Sequence, residues 1–134
     1  MKKLICEIID EFKAAQTRVE KVYVLQKNDC SDLRLFFYLL YGPMKFDVQI
    51  PEYRPAPEPI GMNWTYLHSE LKKLGRFADT TQLPPEKKTS LLLVILESLY
   101  KDEAELLVGL LKKDLGIKYL TPKVVKEAFE DLKI

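Results

Sequence analysis

Apolar side chains recur every three or four positions near the start of the chain, which is the spacing of one helix face. Residues 4–12 carry such a face, with charged side chains opposite it, and predict a first helix. Residues 17–20 fit a capping box, in which threonine and glutamate side chains accept from backbone N–H groups at a helix start. A second helix is therefore predicted there, with an inward stripe of Val19, Val22 and Tyr23.

A third helix and an extended segment follow in the pattern. Ser31 is placed to cap that helix, and Gly42-Pro43 ends it, because proline lacks the N–H that a helix needs. The predicted inward face consists of Leu33, Phe36, Phe37, Leu40 and Tyr41. Residues 46–50 alternate between apolar and polar, as in a short strand. Four prolines follow within residues 51–60, and since proline favours extended backbone we expect this segment, the strap, to lie across the helices.

The middle of the chain predicts two further helices. Asn63 can cap a fourth helix that contains Trp64 and ends at Gly75. Pro84-Pro85 begins a fifth, at the position where a helix tolerates proline. Residues 91–99 are apolar on nearly every side, so this helix is predicted to be central. The predicted centre of the core consists of Leu91, Leu92, Val94, Ile95, Leu96 and Leu99.

Two helices complete the predicted fold. Residues 102–105 place acidic side chains at the start of a sixth helix, which Gly116 terminates. Thr121-Pro122 caps a seventh. The sequence thus predicts an all-α fold: one domain over residues 1–134, a compact bundle of six or seven helices with an extended, proline-rich segment near residues 44–60.

Composition and charge favour an intracellular protein. Of the 134 residues 47% are hydrophobic and 31% charged, and the net charge is +1, so no global field indicates a nucleic-acid or membrane partner. Acidic side chains interrupt the apolar run after the amino terminus, which excludes a signal peptide, and no run approaches transmembrane length. Cys6 and Cys30 are predicted to be buried free thiols in a reducing compartment, with a disulfide between them as the alternative.

The sequence predicts no catalytic site, metal site or cofactor. His68 is the single histidine, and neither cysteine is in ligand spacing with it. No glycine-rich phosphate loop, nucleophile elbow or zinc signature is present. Acidic pairs such as Glu103 and Glu105 are predicted to lie on solvated faces or helix starts, where the helix dipole stabilises them. We therefore expect a protein that is not an enzyme.

Two sets of residues are candidates for binding. The first is a group of lysines within fifteen residues that carry a local net charge of +4: Lys112, Lys113, Lys118, Lys123 and Lys126. On two helix ends and the turn between them, with the backbone N–H groups of the Thr121-Pro122 helix start, they could hold phosphates. Because the group contains no arginine, reading of base sequence is not expected. The alternative is a solvated lysine surface.

The second set lies in and just after the strap: Tyr53, Arg54, Trp64 and Tyr66. Aromatic rings beside a cation can stack on bases or bind a partner protein. The alternative is that these rings hold the proline-rich strap against the core, which is the commoner use of such residues.

Two stretches of the chain resemble a family of small proteins from T-even-like tailed phages, including cyanophages. The amino-terminal match is carried by residues 24–29, 33–34 and 50–51. The more specific carboxy-terminal match is carried by residues 103–107, 112–115, 120–121 and 125–129. The resemblance implies a phage origin and no particular activity. The layout around Lys113-Asp114-Leu115 is also similar to the helical amino-terminal DNA-binding domain of phage ATP-dependent DNA ligases, which implies contact with DNA and not ligation.

Two functions are therefore expected from the sequence. The first is a non-enzymatic phage accessory protein of the host cytoplasm that binds nucleic acid through the basic carboxy-terminal helix pair. The second is a protein–protein adaptor or assembly factor that uses the strap.

Overall fold

The computed structural model describes residues 3–134, and it consists of helices joined by turns and one long extended segment. In chain order the helices are α1 (Ile5–Ala14), α2 (Arg18–Lys27), α3 (Ser31–Tyr41), α4 (Leu67–Glu70), a 3₁₀ helix (Leu71–Phe77), α5 (Pro85–Ser98), α6 (Lys101–Leu111) and α7 (Pro122–Ala128). Residues 3–134 contain no strand, and their buried apolar side chains form one continuous cluster. The predicted all-α fold is confirmed.

The second helix begins as predicted but presents the other face to the core. Thr17 caps α2 by accepting from the backbone N–H of Glu20. Lys21, Val24 and Leu25 are buried, whereas Val19 is 80% exposed and Tyr23 is exposed as well. The predicted stripe is therefore wrong for Val19 and Tyr23, while Val22 is half-buried against the core. The two alternative stripes have the same spacing and are offset by two positions, which is about 200° around a helix. Packing of α2 against α1 and α7 decides between them.

Residues 45–57 are extended, as predicted, but they form no strand. Residues 45–50 alternate between exposed and half-buried in the predicted register. Pairing is limited to one antiparallel bridge between Phe46 and Ala78, with N–H groups donating across it on either side. The prediction of a strand is therefore wrong, because its only partner is a short turn segment. Further along, the Ala56 N–H donates to the Leu99 carbonyl (3.0 Å), which fixes the strap to the end of α5.

The fourth helix starts later than predicted. Asn63 does not cap it, and α4 begins at Leu67 because Thr65 and Tyr66 are extended, with the Thr65 N–H donating to the Ser98 carbonyl (3.4 Å). The helix becomes 3₁₀ after one turn and continues past Gly75. Trp64 consequently lies on a loop and not on a helix.

The central helix is α6 and not α5. Pro85 occupies the first turn of α5 as predicted, and residues 92, 95, 96 and 99 are buried. Val94, however, is exposed and Leu91 only half-buried. Helix α6 packs against α1, α3, α4 and α5, and Gly109 lets the following turn approach closely: a Cβ there would lie 2.9 Å from Leu115 Cδ2. Four of the six residues predicted at the centre of the core are therefore buried, whereas the prediction is wrong for the exposed Val94 and for α5 as the central helix.

No helix within residues 3–134 combines the length and the apolar character needed to cross a membrane. Both cysteines are free thiols, Cys6 buried and Cys30 half-buried.

Candidate functional site

Two of the five carboxy-terminal lysines donate to backbone carbonyls. Lys113 is half-buried, and its Nζ donates to the carbonyls of Leu39 and Gly42, the latter at 3.2 Å. It thereby closes the carboxyl end of α3, and its burial lowers the pKa of its ammonium group. Lys126 is exposed, and its Nζ donates to the Leu132 carbonyl. The structure therefore uses Lys113 within the fold, and phosphate binding by the set stays a prediction.

The other three lysines of the set are exposed. Lys112, Lys118 and Lys123 form no ion pair within the described part of the chain. The Nζ of Lys118 lies 5.1 Å from the centroid of the Tyr119 ring, in cation–π range. These three remain candidates for electrostatic contact with a polyanion.

The two helices predicted to form a basic pair do not pack as a unit. Helix α7 packs mainly on α2, at the other end of the chain, and not on α6. At its start Pro122 has no N–H, the Val124 N–H donates to the Thr121 hydroxyl and the Val125 N–H to the Thr121 carbonyl. The start of α7 therefore has few open donors, and phosphate binding there stays a prediction.

Three of the four residues singled out in and after the strap are largely held by the fold. Tyr53 packs against the core, and burial raises the pKa of its hydroxyl. The backbone N–H of Arg54 donates to the Glu97 carboxylate on α5 (3.3 Å), while its side chain is exposed. The Tyr66 hydroxyl donates to the Gly61 carbonyl (2.6 Å), and its ring stacks on the His68 imidazole. These contacts match the alternative in which the residues anchor the strap.

Trp64 is the exception, because its side chain is 86% exposed. It ends a short segment, residues 58–64, that we call the Trp64 loop. Met62 in this loop is 70% exposed, and Ile60 is exposed as well. A tight turn shapes the loop: Gly61 has a positive φ of 88°, and the Met62 N–H donates to the Pro59 carbonyl (3.0 Å). A fixed loop thus carries three apolar side chains into solvent.

The Trp64 loop also forms an open cavity of about 320 Å³, lined by its own residues Glu58, Met62, Asn63 and Trp64. Glu58 Oε2 and Asn63 Oδ1 are buried and accept no hydrogen bond within residues 3–134. The Asn63 Nδ2 donates to the Glu58 carbonyl (3.3 Å). The residues that line the cavity therefore combine two acceptors that have no donor with an exposed indole. The sequence pattern predicts Trp64 on a helix, and the signal in the sequence that could have indicated a loop is the turn-forming residue Gly61.

Glu103 lies in the first turn of α6, as predicted, but it is not solvated there. Its side chain is fully buried, and Oε1 accepts the Leu67 N–H (3.3 Å) at the start of α4, whereas Oε2 has no hydrogen-bond partner in the described region. Burial raises the pKa of this carboxyl from 4.5 to about 7, against the opposing effect of the Leu67 hydrogen bond. The buried Cys6 thiol has its pKa raised to about 12, by burial first and then by the charge of Glu103.

Residues 3–134 contain no group of three or more histidine, cysteine, aspartate and glutamate side chains placed to hold a metal ion. His68 is half-buried beside Tyr66, and its Nδ1 accepts no hydrogen bond within the same residues.

Comparison with known proteins identifies the family of the chain. Residues 8–117 match the model of a family of unknown function, DUF6433, and because the match spans most of the chain, the protein belongs to this family. No curated protein sequence matches the chain. The matched region includes the Trp64 loop, and it ends before Lys118, Lys123 and Lys126.

Proposed function

We propose that this member of the DUF6433 family is a non-enzymatic accessory protein that binds a partner protein through the Trp64 loop. The observation that carries the proposal is the 86% exposure of Trp64 beside the exposed Met62, on a loop fixed by its own hydrogen bonds. Large apolar side chains grouped at the surface mark interaction sites, and tryptophan is among the residues that contribute most to binding energy. A fixed loop also loses little conformational entropy on binding.

The cavity beside Trp64 favours a partner that inserts a lysine or arginine side chain. Glu58 Oε2 and Asn63 Oδ1 are acceptors without donors, and an ammonium or guanidinium group supplies donors and no acceptor. The same cation can lie over the indole ring, which is the strongest aromatic partner for a positive charge. A basic side chain flanked by apolar residues would therefore complete both parts of the loop.

Nucleic-acid binding is the second candidate function. It is favoured by the exposure of Lys112, Lys118 and Lys123, none of which forms an ion pair within residues 3–134. Lysine is suited to phosphate and not to bidentate base reading, so the binding would be weak, independent of sequence and sensitive to salt. Under either function, we propose that the protein acts in the cytoplasm of an infected host cell, and the resemblance to T-even-like phage proteins supports this.

Capture from a lysate of phage-infected cells, with and without nuclease, separates the two functions. The wild-type chain and the Trp64→Ser variant are compared, with Tyr23→Ser as the matched control because Tyr23 is an exposed aromatic residue on α2. We expect a protein that survives nuclease, is lost with Trp64→Ser and is retained by Tyr23→Ser. Loss on nuclease treatment would favour the second function instead, and equal capture by all three chains would refute a role for the Trp64 loop.

A synthetic peptide then tests the chemistry of the partner. A peptide with one arginine between leucines, and the same peptide with glutamine for arginine, are titrated against the wild-type chain. Binding is followed by the change in Trp64 fluorescence. We expect the arginine peptide to bind about tenfold more tightly than the glutamine peptide, because a charge-assisted hydrogen bond is lost in the latter. Equal affinity for both peptides would contradict the role assigned to Glu58 and Asn63.

A further inference from the structure

Lys21 is a buried ammonium group without a counter-charge. It is 8% exposed, and its Nζ donates to the Phe12 carbonyl at 2.9 Å. No carboxylate within residues 3–134 forms an ion pair with it, and Met1 and Lys2 have none to contribute. An ammonium group has three donors, and burying a charge without an opposite charge is costly. An anion that binds beside Lys21 would remove that cost.

Lys21 lines a cavity of about 290 Å³ where the starts of α2 and α7 meet. Its lining residues are Gln16, Arg18, Lys21, Tyr119, Thr121 and Val124. Arg18 is held in place and neutralised by Glu127, to which its Nε donates at 3.2 Å. The uncompensated charge of the cavity is therefore that of Lys21. The volume, near the lower end of the range for ligand pockets, is far more than a carboxylate group requires.

An aromatic ring lies at the same cavity in a strained backbone conformation. Tyr119 has a φ of 69°, which residues other than glycine rarely adopt, and the residue is 61% exposed. The Nζ atoms of Lys21 and Lys118 lie 5.8 Å and 5.1 Å from the centroid of that ring. Strain of this kind collects at ligand sites, where the fold fixes a residue in a position that it would not choose. Tyr119 is thus an exposed aromatic residue next to the buried ammonium group.

We propose that this cavity, the Lys21 cavity, binds a phosphate group joined to an aromatic base, with the phosphate at Lys21 and the base on Tyr119. A free nucleotide and one nucleotide of a single strand share this chemistry. Stacking on an aromatic side chain and an ammonium–phosphate contact are the two interactions by which proteins hold such groups without reading sequence. The proposal requires neither the Trp64 loop nor the exposed lysines at positions 112 and 123.

Calorimetric titration of the full chain tests the site with three probes: inorganic phosphate, adenosine monophosphate and adenosine. We expect adenosine monophosphate to bind more tightly than phosphate, and adenosine to bind weakest. Lys21→Met keeps the aliphatic stem and removes the charge, so it should weaken binding of both phosphate probes about tenfold or more. Lys112→Met, the matched loss of an exposed lysine, should leave both affinities within about twofold.

A second variant separates the roles of ring and charge. Tyr119→Gly removes the ring and relieves the positive φ, so the chain should fold, and circular dichroism verifies this. In this variant adenosine monophosphate should lose its advantage over phosphate, while phosphate affinity is retained. If Lys21→Met does not fold, this comparison decides the question.

The proposal is overturned if the wild-type chain binds neither phosphate probe, if folded Lys21→Met binds as well as the wild type, or if Tyr119→Gly retains the preference for the nucleotide. Competition between adenosine monophosphate and a single-stranded oligonucleotide then identifies the source. Tighter binding of the oligonucleotide supports a strand as the ligand, and tighter binding of the monophosphate supports a free nucleotide.

Discussion

Replacing Glu103 by glutamine tests the consequence of a fully buried carboxyl group. The folded chain raises the pKa of Glu103 from 4.5 to about 7, so between these values the native state holds a proton that the unfolded chain has lost. Stability therefore falls as pH rises through this window and is level above it. At roughly 1.4 kcal/mol per pH unit the total loss is about 3 kcal/mol, most of which falls between about pH 5 and about pH 8.

Glutamine keeps the shape of the side chain and cannot ionise, so this pH dependence should disappear from the variant. Its amide oxygen can still accept the Leu67 N–H, whereas its NH₂ group would occupy the place of Oε2, which has no partner in the described structure. An unsatisfied buried donor costs about 1–3 kcal/mol, so Glu103→Gln should be less stable than the wild type near pH 5. Near pH 8 the two effects oppose each other, and the difference should be small or favour the variant.

Urea unfolding at a series of pH values, followed by far-ultraviolet circular dichroism, measures this effect. Circular dichroism is preferred over fluorescence because the single tryptophan is already exposed in the native state. Glu105→Gln is the control, since Glu105 is an exposed acid two positions away on the same helix, and its stability curve should run parallel to that of the wild type. If the Glu103→Gln curve also runs parallel to the wild-type curve, Glu103 titrates normally and its assigned burial is wrong.

Three further predictions follow from individual side chains. The fluorescence emission maximum of Trp64 should lie close to that of free tryptophan in water, and iodide should quench the emission readily. The maximum should shift to shorter wavelength when a partner covers the indole. A blue-shifted emission that iodide does not quench in the free protein would contradict the exposure of Trp64. Lys113→Met should lower the free energy of unfolding by about 1–3 kcal/mol in urea titrations, because two carbonyls at the end of α3 lose their donor. Lys112→Met, the control, should change this free energy by less than about 0.5 kcal/mol. Equal effects of the two substitutions would refute the structural role of Lys113. Gly109→Ala should lower the free energy of unfolding by about 1–3 kcal/mol, because the added Cβ overpacks the contact with Leu115. Gly75→Ala should be neutral or stabilising, because a Cβ there meets nothing within 4 Å. A lower melting temperature for Gly75→Ala than for Gly109→Ala would contradict the packing of α6.

The starts and ends of several helices could be predicted because the responsible groups are close in sequence. Thr17 and Thr121 each accept from an N–H three residues later, and Pro85 has the φ that a first helical residue needs. Gly42-Pro43 ends α3 by the same local logic. Asn63 is the instructive failure, since its amide bonds to the Glu58 carbonyl instead of capping a helix, and the Thr65 N–H is taken by α5.

The inward face of a helix was less predictable when its pattern allowed two answers. In α2 the stripes that contain Val19 and Lys21 have equivalent spacing, and a hydrophobicity argument selects the one without a lysine. Lysine can nevertheless be buried when its stem packs and its Nζ reaches a carbonyl, as with Phe12 here. Whether such a carbonyl is available depends on α1, which the pattern within α2 does not describe.

The candidate sites depended on tertiary structure most of all. Lys112 and Lys113 are neighbours with the same side chain, yet only the second reaches the open end of α3, more than seventy residues away in the chain. Glu103 and Trp64 show the same dependence, one a carboxyl group in the core and the other an indole in solvent. The sequence by itself determined which segments are helical and where most of them begin, because those interactions act within one turn. The predicted ends at Gly75 and Gly116 are wrong, since α4 continues as a 3₁₀ helix to Phe77 and α6 ends at Leu111. The tertiary structure decided which charges are free and which apolar groups are exposed, because burial is set by residues that are distant in the chain.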